Sequence, residues 1–196
     1  TLLAAALAIT LIFVAPKRAK VWVATALISM AAIGAIALSV EALLCGDVEI
    51  ATFTTSLFGK EHITVDGISA FFLSIIAIAS VATVLYSRGY VGGYLERFSA
   101  THISLHYTAL LLLVVSMMLV VVTSGGFSFL FSWELMTIAS FILILFEADR
   151  QEVRRAALNY LVMMHIGFMF LVAGFVMTYS VTGSANFTAI IDYFKM

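Results

Sequence analysis

Charge is what this sequence has least of. Only 11% of its 196 residues are Asp, Glu, Lys or Arg, against 63% that are hydrophobic, and the mean hydropathy is +1.14. A soluble domain carries about 25% charged residues, and so few could not coat a globule of this size with water-facing surface, which excludes a soluble enzyme. A single proline and twelve glycines exclude a disordered or collagen-like chain. The lone Cys45 forms no internal disulfide and leaves the compartment open. A formal net charge of -1 gives no argument for nucleic acid as a partner. What remains is a membrane protein with the lipid bilayer as its first partner.

A helix that crosses the hydrocarbon needs about 20 apolar residues at 1.5 Å rise, and the charges cut the chain into such lengths. Six segments result, roughly Leu2 to Val14, Val21 to Leu44, Val65 to Ser87, Tyr107 to Ser124, Phe127 to Phe146 and Ala156 to Val181. The first is short, because thirteen residues reach only about 20 Å against a core of ~30 Å. It reads as the tail of a longer helix, and a start at Thr1 agrees with that expectation. A signal peptide is disfavoured, since Lys17, Arg18 and Lys20 follow the apolar run instead of preceding it.

Basic residues are retained on the cytoplasmic side. In the six-span arrangement one side receives Lys17, Arg18, Lys20, Arg88, Arg97, Arg150, Arg154 and Arg155, and the other only Lys60 and Lys195. Eight of ten on one side predicts a multi-pass protein of the cell inner (plasma) membrane with its N-terminus on the outer side. The outer connection from Cys45 to Thr64, rich in Thr, Phe and Ile with a Gly-containing turn, predicts a short β-hairpin on the membrane surface. Between residues 185 and 196, Phe187, Ile190, Ile191 and Phe194 recur at helical spacing with Asp192 and Lys195 among them, which predicts an interfacial amphipathic helix. The fold class is therefore all-α transmembrane, one membrane domain over residues 1–196.

Most of the eleven acids fall in connections or at helix ends, where water reaches them. Glu134 is different. It lies within Phe129-Leu-Phe-Ser-Trp-Glu-Leu-Met-Thr-Ile-Ala-Ser-Phe, about 12 Å inside its span, where a carboxylate costs about 2.5–3.5 kcal/mol even on insertion scales. It must be protonated, paired or hydrated, and each condition makes it responsive to protons or ions, as a relay requires. The bland alternative is a neutral Glu bonded to a neighbouring helix through Ser132 or Thr137. His165, about ten residues into the last span, is the second candidate, because a neutral imidazole both donates and accepts; a helix-packing hydrogen bond is its alternative.

Other features lean towards structure. Gly167 and Gly174 share one face and suit close helix packing. Glu147, Asp149, Arg150, Glu152, Arg154 and Arg155 form a mixed-sign cluster that reads as a solvated turn with local ion pairs, or a proton entrance or subunit contact. Asp66 suits a helix N-cap. His62, His102 and His106 lie at membrane borders. His102 and His106 are the only ligand-spaced pair, too common a spacing to argue for metal. There is no Gly-rich phosphate loop, no nucleophilic triad and no CxxC, and His165 lacks a partner histidine at its depth for haem. No cofactor or metal is expected.

The run around Glu134, followed by Ala156-Ala-Leu-Asn-Tyr-Leu-Val-Met-Met-His-Ile-Gly-Phe-Met-Phe-Leu-Val-Ala-Gly, and the earlier Val65-Asp-Gly-Ile-Ser-Ala-Phe-Phe, resemble the antiporter-like membrane subunits shared by respiratory complex I, Mrp-type sodium/proton antiporters and membrane-bound hydrogenases. The resemblance implies a fold of about fourteen helices with inverted repeats, of which this chain would be the N-terminal part. It implies proton or sodium translocation driven through other membrane and redox subunits, in a complex of the NADH:quinone oxidoreductase or hydrogenase kind, with no catalytic chemistry in the chain itself. The Glu of the Trp-Glu-Leu-Met stretch belongs to a half-channel in that family, and Glu134 matches it. The family's Arg-x-Gly-Asp variant is replaced here by His165-Ile-Gly167-Phe168, closer to the membrane subunits of the formate hydrogenlyase or hydrogenase-4 branch. The family's lysine partner for Glu134 lies in a span beyond those seen here, and Lys195, on the amphipathic stretch, is not that lysine.

Overall fold

A computed structural model of the chain describes residues 2–55 and 59–195, with the side chains of residues 2–6, 55, 59 and 60 excepted. The elements run α1 (Leu2–Val14), α2 (Ala19–Cys45), β1 (Val48–Thr55), β2 (Gly59–Val65), α3 (Gly67–Gly92), α4 (Ala100–Val122), α5 (Gly126–Ile144) with a 3-10 turn (Leu145–Glu147), α6 (Gln151–Thr182) and α7 (Phe187–Lys195). Among the described residues five helices, α2 to α6, are long and apolar enough to cross a membrane. The thirteen-residue α1 falls short, as its length requires. The expected hairpin and amphipathic helix are both present; the hairpin's turn, 56–58, lies outside the described residues.

Two helix starts lie five or more residues ahead of the sequence reading, and for the same reason. α4 begins at Ala100, not Tyr107, and α6 at Gln151, not Ala156. Charged and polar first turns extend a helix beyond the apolar length without breaking it, so hydropathy sees the span and misses the helix. Ser99 caps α4 by accepting from His102 N–H at 3.2 Å, and Asp66 caps α3 by accepting from Ser69 N–H at 2.7 Å, as expected.

The tightest packing is between α2 and α3. α2 buries Ala24, Ile28, Ala32, Ala35, Ser39 and Ala42, and α3 buries Ala70, Leu73, Ala77, Ser80, Val84 and Ser87. These rows repeat every three or four residues and are mostly small, which lets two helices approach closely where no hydrophobic effect drives them together. One apolar core lies beneath the loops at the end opposite the hairpin, around Ile28, Val84, Tyr107 and Phe146. A second lies under the hairpin, around Ala35, Val65, Leu73 and Val122. α5 and α6 sit at the edge of this bundle, and α6 buries only Ala157. An added Cβ at Gly167 or Gly174 would meet nothing within 4 Å, so neither is a close-packing position among the described residues; α6 packs chiefly against α5, the 3-10 turn and α7.

Antiparallel succession is visible at the loops. Tyr107 Oη donates to Ser87 O at 3.4 Å and His102 Nε2 lies 2.9 Å from Phe146 O. The connection after α1 carries the sole proline, Pro16, whose carbonyl accepts from the Ala19 and Lys20 N–H groups. Lys20 then folds back, 3% exposed, and its ammonium donates to Ile12 O at 2.9 Å and Phe13 O at 2.8 Å, closing carbonyls at the C-terminal end of α1. Replacing Lys20 by Met leaves those carbonyls without the cation. A loss of about 2 kcal/mol, read as a lower melting temperature in detergent, is the expected outcome, with the exposed Arg18→Ala near the wild-type value.

Candidate functional site

α4 and α5 are joined by residues 123–125, and this link is held from two sides. Ile63 bridges to Thr123, and both the N–H and the hydroxyl of Ser124 donate to His62 O, at 3.0 and 2.7 Å. Gly125 bridges to Asn186 on the other side, Gly126 N–H donates to Ala185 O at 2.9 Å, and Phe187 N–H donates to Ser124 O at 3.0 Å. The rings of Phe129, Phe175 and Phe187, with centroids 5.8 to 5.9 Å apart, tie α5, α6 and α7 together just beneath. α6 reaches this junction through Gly183, whose φ of 71° is the left-handed cap only glycine adopts freely, with its N–H on Tyr179 O at 2.8 Å.

With its first turn held this way, α5 places Glu134 as its ninth residue. Glu134 meets His165 of α6: Oε1 and Nε2 are 3.0 Å apart, with the side chains 24% and 41% exposed. The two sequence candidates are therefore brought together, which spacing alone did not reveal. Thr137, one of the partners considered for Glu134, donates its hydroxyl to Trp133 O within α5 at 3.1 Å.

The pair's protonation follows from its second contacts. His165 Nδ1 lies 3.0 Å from Leu161 O. A carbonyl only accepts, so Nδ1 carries a hydrogen and Nε2 is the nitrogen that faces the carboxyl group. Two lone-pair atoms at 3.0 Å repel unless a proton lies between them. The pair thus shares one proton, either as a carboxylic acid facing a neutral imidazole or as a carboxylate facing an imidazolium. Both forms are neutral overall, which avoids the cost of a net charge in apolar surroundings. Among the described residues Glu134 Oε2 is buried and unpartnered, as is the neighbouring Trp133 Nε1, so the carboxyl keeps one oxygen available for a second proton donor.

A residue that sequence reasoning placed among the water-reachable acids is in fact buried. Glu61 of β2 is 1% exposed and reaches the start of α5, where its Oε2 accepts from Ser128 N–H at 3.0 Å and from the Ser128 hydroxyl. The signal was present as strand alternation, since Glu61, Ile63 and Val65 share one face and Val65 is fully buried. A Cβ on Gly125 would fall 2.4 Å from Glu61 Cδ and 2.6 Å from Oε2, so this position must stay glycine for the carboxylate to enter. On the other face, His62 Nδ1 pairs with Glu49 Oε1 at 3.0 Å. Among the described residues no group of three or more His, Cys, Asp or Glu is placed to hold a metal ion.

At the end opposite the hairpin, the mixed-sign cluster forms ion pairs: Arg97 with Asp149, and Arg150 with Glu147 at 3.4 Å. Arg154 donates to Ala148 O at 2.6 Å. Tyr94 donates its hydroxyl to Glu147. That bond, with a further one to Tyr90, pushes the Tyr94 phenol up to about 12, because ionising it would place a second negative charge against the carboxylate. The rings of His102 and His106 pack at a tilt against Phe146, with centroids 5.2 and 4.4 Å away, and His106 Nδ1 is buried without a partner among the described residues.

Two outcomes follow. Gly125→Ala must displace Glu61 and is expected to lower stability by about 1–3 kcal/mol, read by thermal unfolding, with Gly89→Ala, whose added Cβ meets nothing within 4 Å, as the neutral comparison. Glu147→Gln should bring the Tyr94 ionisation back towards 10.0, seen as phenolate absorbance appearing at lower pH.

Residues 124–196, which include Glu134 and His165, match the domain family described as NADH:quinone oxidoreductase/Mrp antiporter, TM. The chain is 35% identical over 130 residues to a Mycobacterium tuberculosis protein described as uncharacterized, covering 66% of this chain and 19% of that protein. It is 29% identical over 129 residues to a Staphylococcus saprophyticus protein provisionally named antiporter subunit mnhA2, covering 65% of this chain and 15% of the relative. A Staphylococcus aureus protein of the same name is 27% identical over 137 residues, 70% of this chain and 16% of its own. The chain thus spans about a fifth or less of the length of the curated relatives it matches. The similarity to an antiporter-like membrane domain thus holds for residues 124–196, and the similarity to the named antiporter subunits for about two thirds of the chain.

Proposed function

We propose that the chain acts in translocating protons across a membrane, with Glu134 and His165 as a relay that holds one proton and passes it on. The observation that carries this reading is the 3.0 Å Oε1–Nε2 contact between two ionisable groups on neighbouring spans, one of which keeps an unpartnered oxygen. Ionisable residues inside a span are costly and mark ion pathways. Here the cost is limited by neutrality of the pair, and transfer between the two groups changes its dipole without changing its net charge. A field imposed by neighbouring subunits would move that proton, which is how a membrane subunit without chemistry of its own couples to a redox complex of the hydrogenase or NADH:quinone oxidoreductase kind. The formate hydrogenlyase or hydrogenase-4 branch is the finer assignment that His165 suggests. The orientation we propose, N-terminus outside in the plasma membrane, rests on the basic residues, of which eight of ten fall in connections opposite the hairpin.

A second reading is sodium/proton exchange in an Mrp-like assembly, favoured by the names of the staphylococcal relatives. Sodium separates the two: an exchanger acidifies or alkalises vesicles only when sodium is supplied, and a proton translocator does not need it.

The test is Glu134→Gln in membrane vesicles, with a pH-gradient dye as readout. Gln preserves size and hydrogen-bonding capacity but cannot ionise, so proton translocation should fall at least about tenfold while assembly is retained, equivalent to about 1.4 kcal/mol or more on the barrier. His165→Gln should reduce it as well. Undiminished translocation in Glu134→Gln would leave the chain as a membrane anchor for redox subunits.

A further inference from the structure

We propose that Glu61 is a second proton-binding site, at the hairpin end of α5, formed by its own carboxyl group, by Ser128 and by the side-chain-free backbone at Gly125. The site stands independently of whether Glu134 carries a transported ion.

Three observations converge on it. The side chain is 1% exposed, so the group is removed from water although it belongs to a surface hairpin. Its Oε2 is occupied by two donors, the N–H and hydroxyl of Ser128, at the positive end of the α5 dipole. Its Oε1 is buried and has no hydrogen-bond partner among the described residues. The two oxygens are thus chemically unequal. Oε2 holds the helix, and Oε1 is free to take a proton while Oε2 continues to accept as a carbonyl oxygen. The site gains or loses a proton without losing its hold on Ser128. What changes is the strength of that hold, since bonds to an ionised acceptor are roughly twice as strong as neutral ones.

Among the described residues no charge compensates the carboxylate. Phe53 of β1 stands opposite Glu61 in the ladder. The hairpin's other ionisable side chains with described positions, Glu49 and His62, contact each other at 3.0 Å, and Asp66 is engaged by Ser69 N–H. The link before α5 presents Thr123, Ser124 and Gly125, the first turn of α5 presents Ser128, and the turn before α7 presents Ala185 and Asn186; none of these ionises. The adjoining Lys60 has no described side chain. Among the described residues none forms an ion pair with Glu61. Burial favours the protonated form and the two donors with the helix terminus favour the anion, so both forms have identifiable support.

Infrared difference spectroscopy of the protein in native membranes, stepped across pH, reads the carboxylic-acid C=O band directly. A titrating band should be present in wild type and in Glu134→Gln and lost in Glu61→Gln, which retains an acceptor for Ser128. Survival of the band in Glu134→Gln separates this site from the relay. Ser128→Ala removes one donor to Oε2 and should move the transition to higher pH, which carries the test even where Glu61→Gln fails to assemble. Spectra of wild type and Glu61→Gln that titrate identically, or a transition unmoved in Ser128→Ala, would overturn the proposal.

Discussion

Within or next to a bilayer, no peptide N–H or C=O is left to the lipid, so a break between two spans must find partners for its own backbone. Residues 123–125 between α4 and α5 are such a break. The hairpin satisfies one side of it and the turn before α7 the other. The start of α5 is thereby fixed in height and rotation, and with it the depth of Glu134 and the face it turns to α6. Gly125 and Gly126 belong to the same constraint: Glu61 occupies the space beside the first, and the Phe175 ring lies 2.6 Å from where a Cβ on the second would stand. A surface hairpin thus sets the geometry of an intramembrane pair it never touches.

The molecule divides into a closely packed half and an open one. α2 and α3 meet along rows of Ala and Ser, a contact with little room to slide. α5 and α6 meet along a more open seam: α5 buries Gly126, Ser128, Ser132, Thr137 and Ala139 in all, and α6 buries Ala157 alone. The ionisable pair lies in that second seam, where Glu134 and His165 face each other at 3.0 Å. A titrating group in the first seam would have had to displace packed methyl groups.

Much of this was legible in the residues. Charges cut the chain into its spans because a charge inside hydrocarbon is expensive; β-branched and aromatic residues with a glycine marked the hairpin; Phe187, Ile190, Ile191 and Phe194 marked α7; and Glu134 and His165 stood out as ionisable groups within apolar runs. What escaped was whatever depends on a partner distant in sequence. The contact of Glu134 with His165 requires knowing how α5 and α6 are rotated, and an apolar helix exposed to lipid has no polar face to report its rotation. Glu61 escaped for a different reason: in a hairpin an acid reads as solvated, and only its alternation with Ile63 and Val65 pointed inward. The alanine and serine rows of α2 and α3 were readable, yet in so apolar a chain a small-residue stripe gives little contrast in hydropathy.

The two helices that carry the pair differ in length. α6 has 32 residues, about 48 Å at 1.5 Å rise, and α5 has 19, about 28 Å, against a hydrocarbon thickness of ~30 Å. α5 spans such a membrane upright, whereas α6 either leans or carries its charged first turns out into water. A thinner or thicker bilayer changes the lean of α6 more than that of α5. Glu134 rides on one and His165 on the other, and the two helices are tied at both ends, by the ring contacts of Phe129, Phe175 and Phe187 at the hairpin end and by the short 148–150 turn at the other. Acyl-chain length, a property of the lipid, thereby acts on a pair held between two fixed ends.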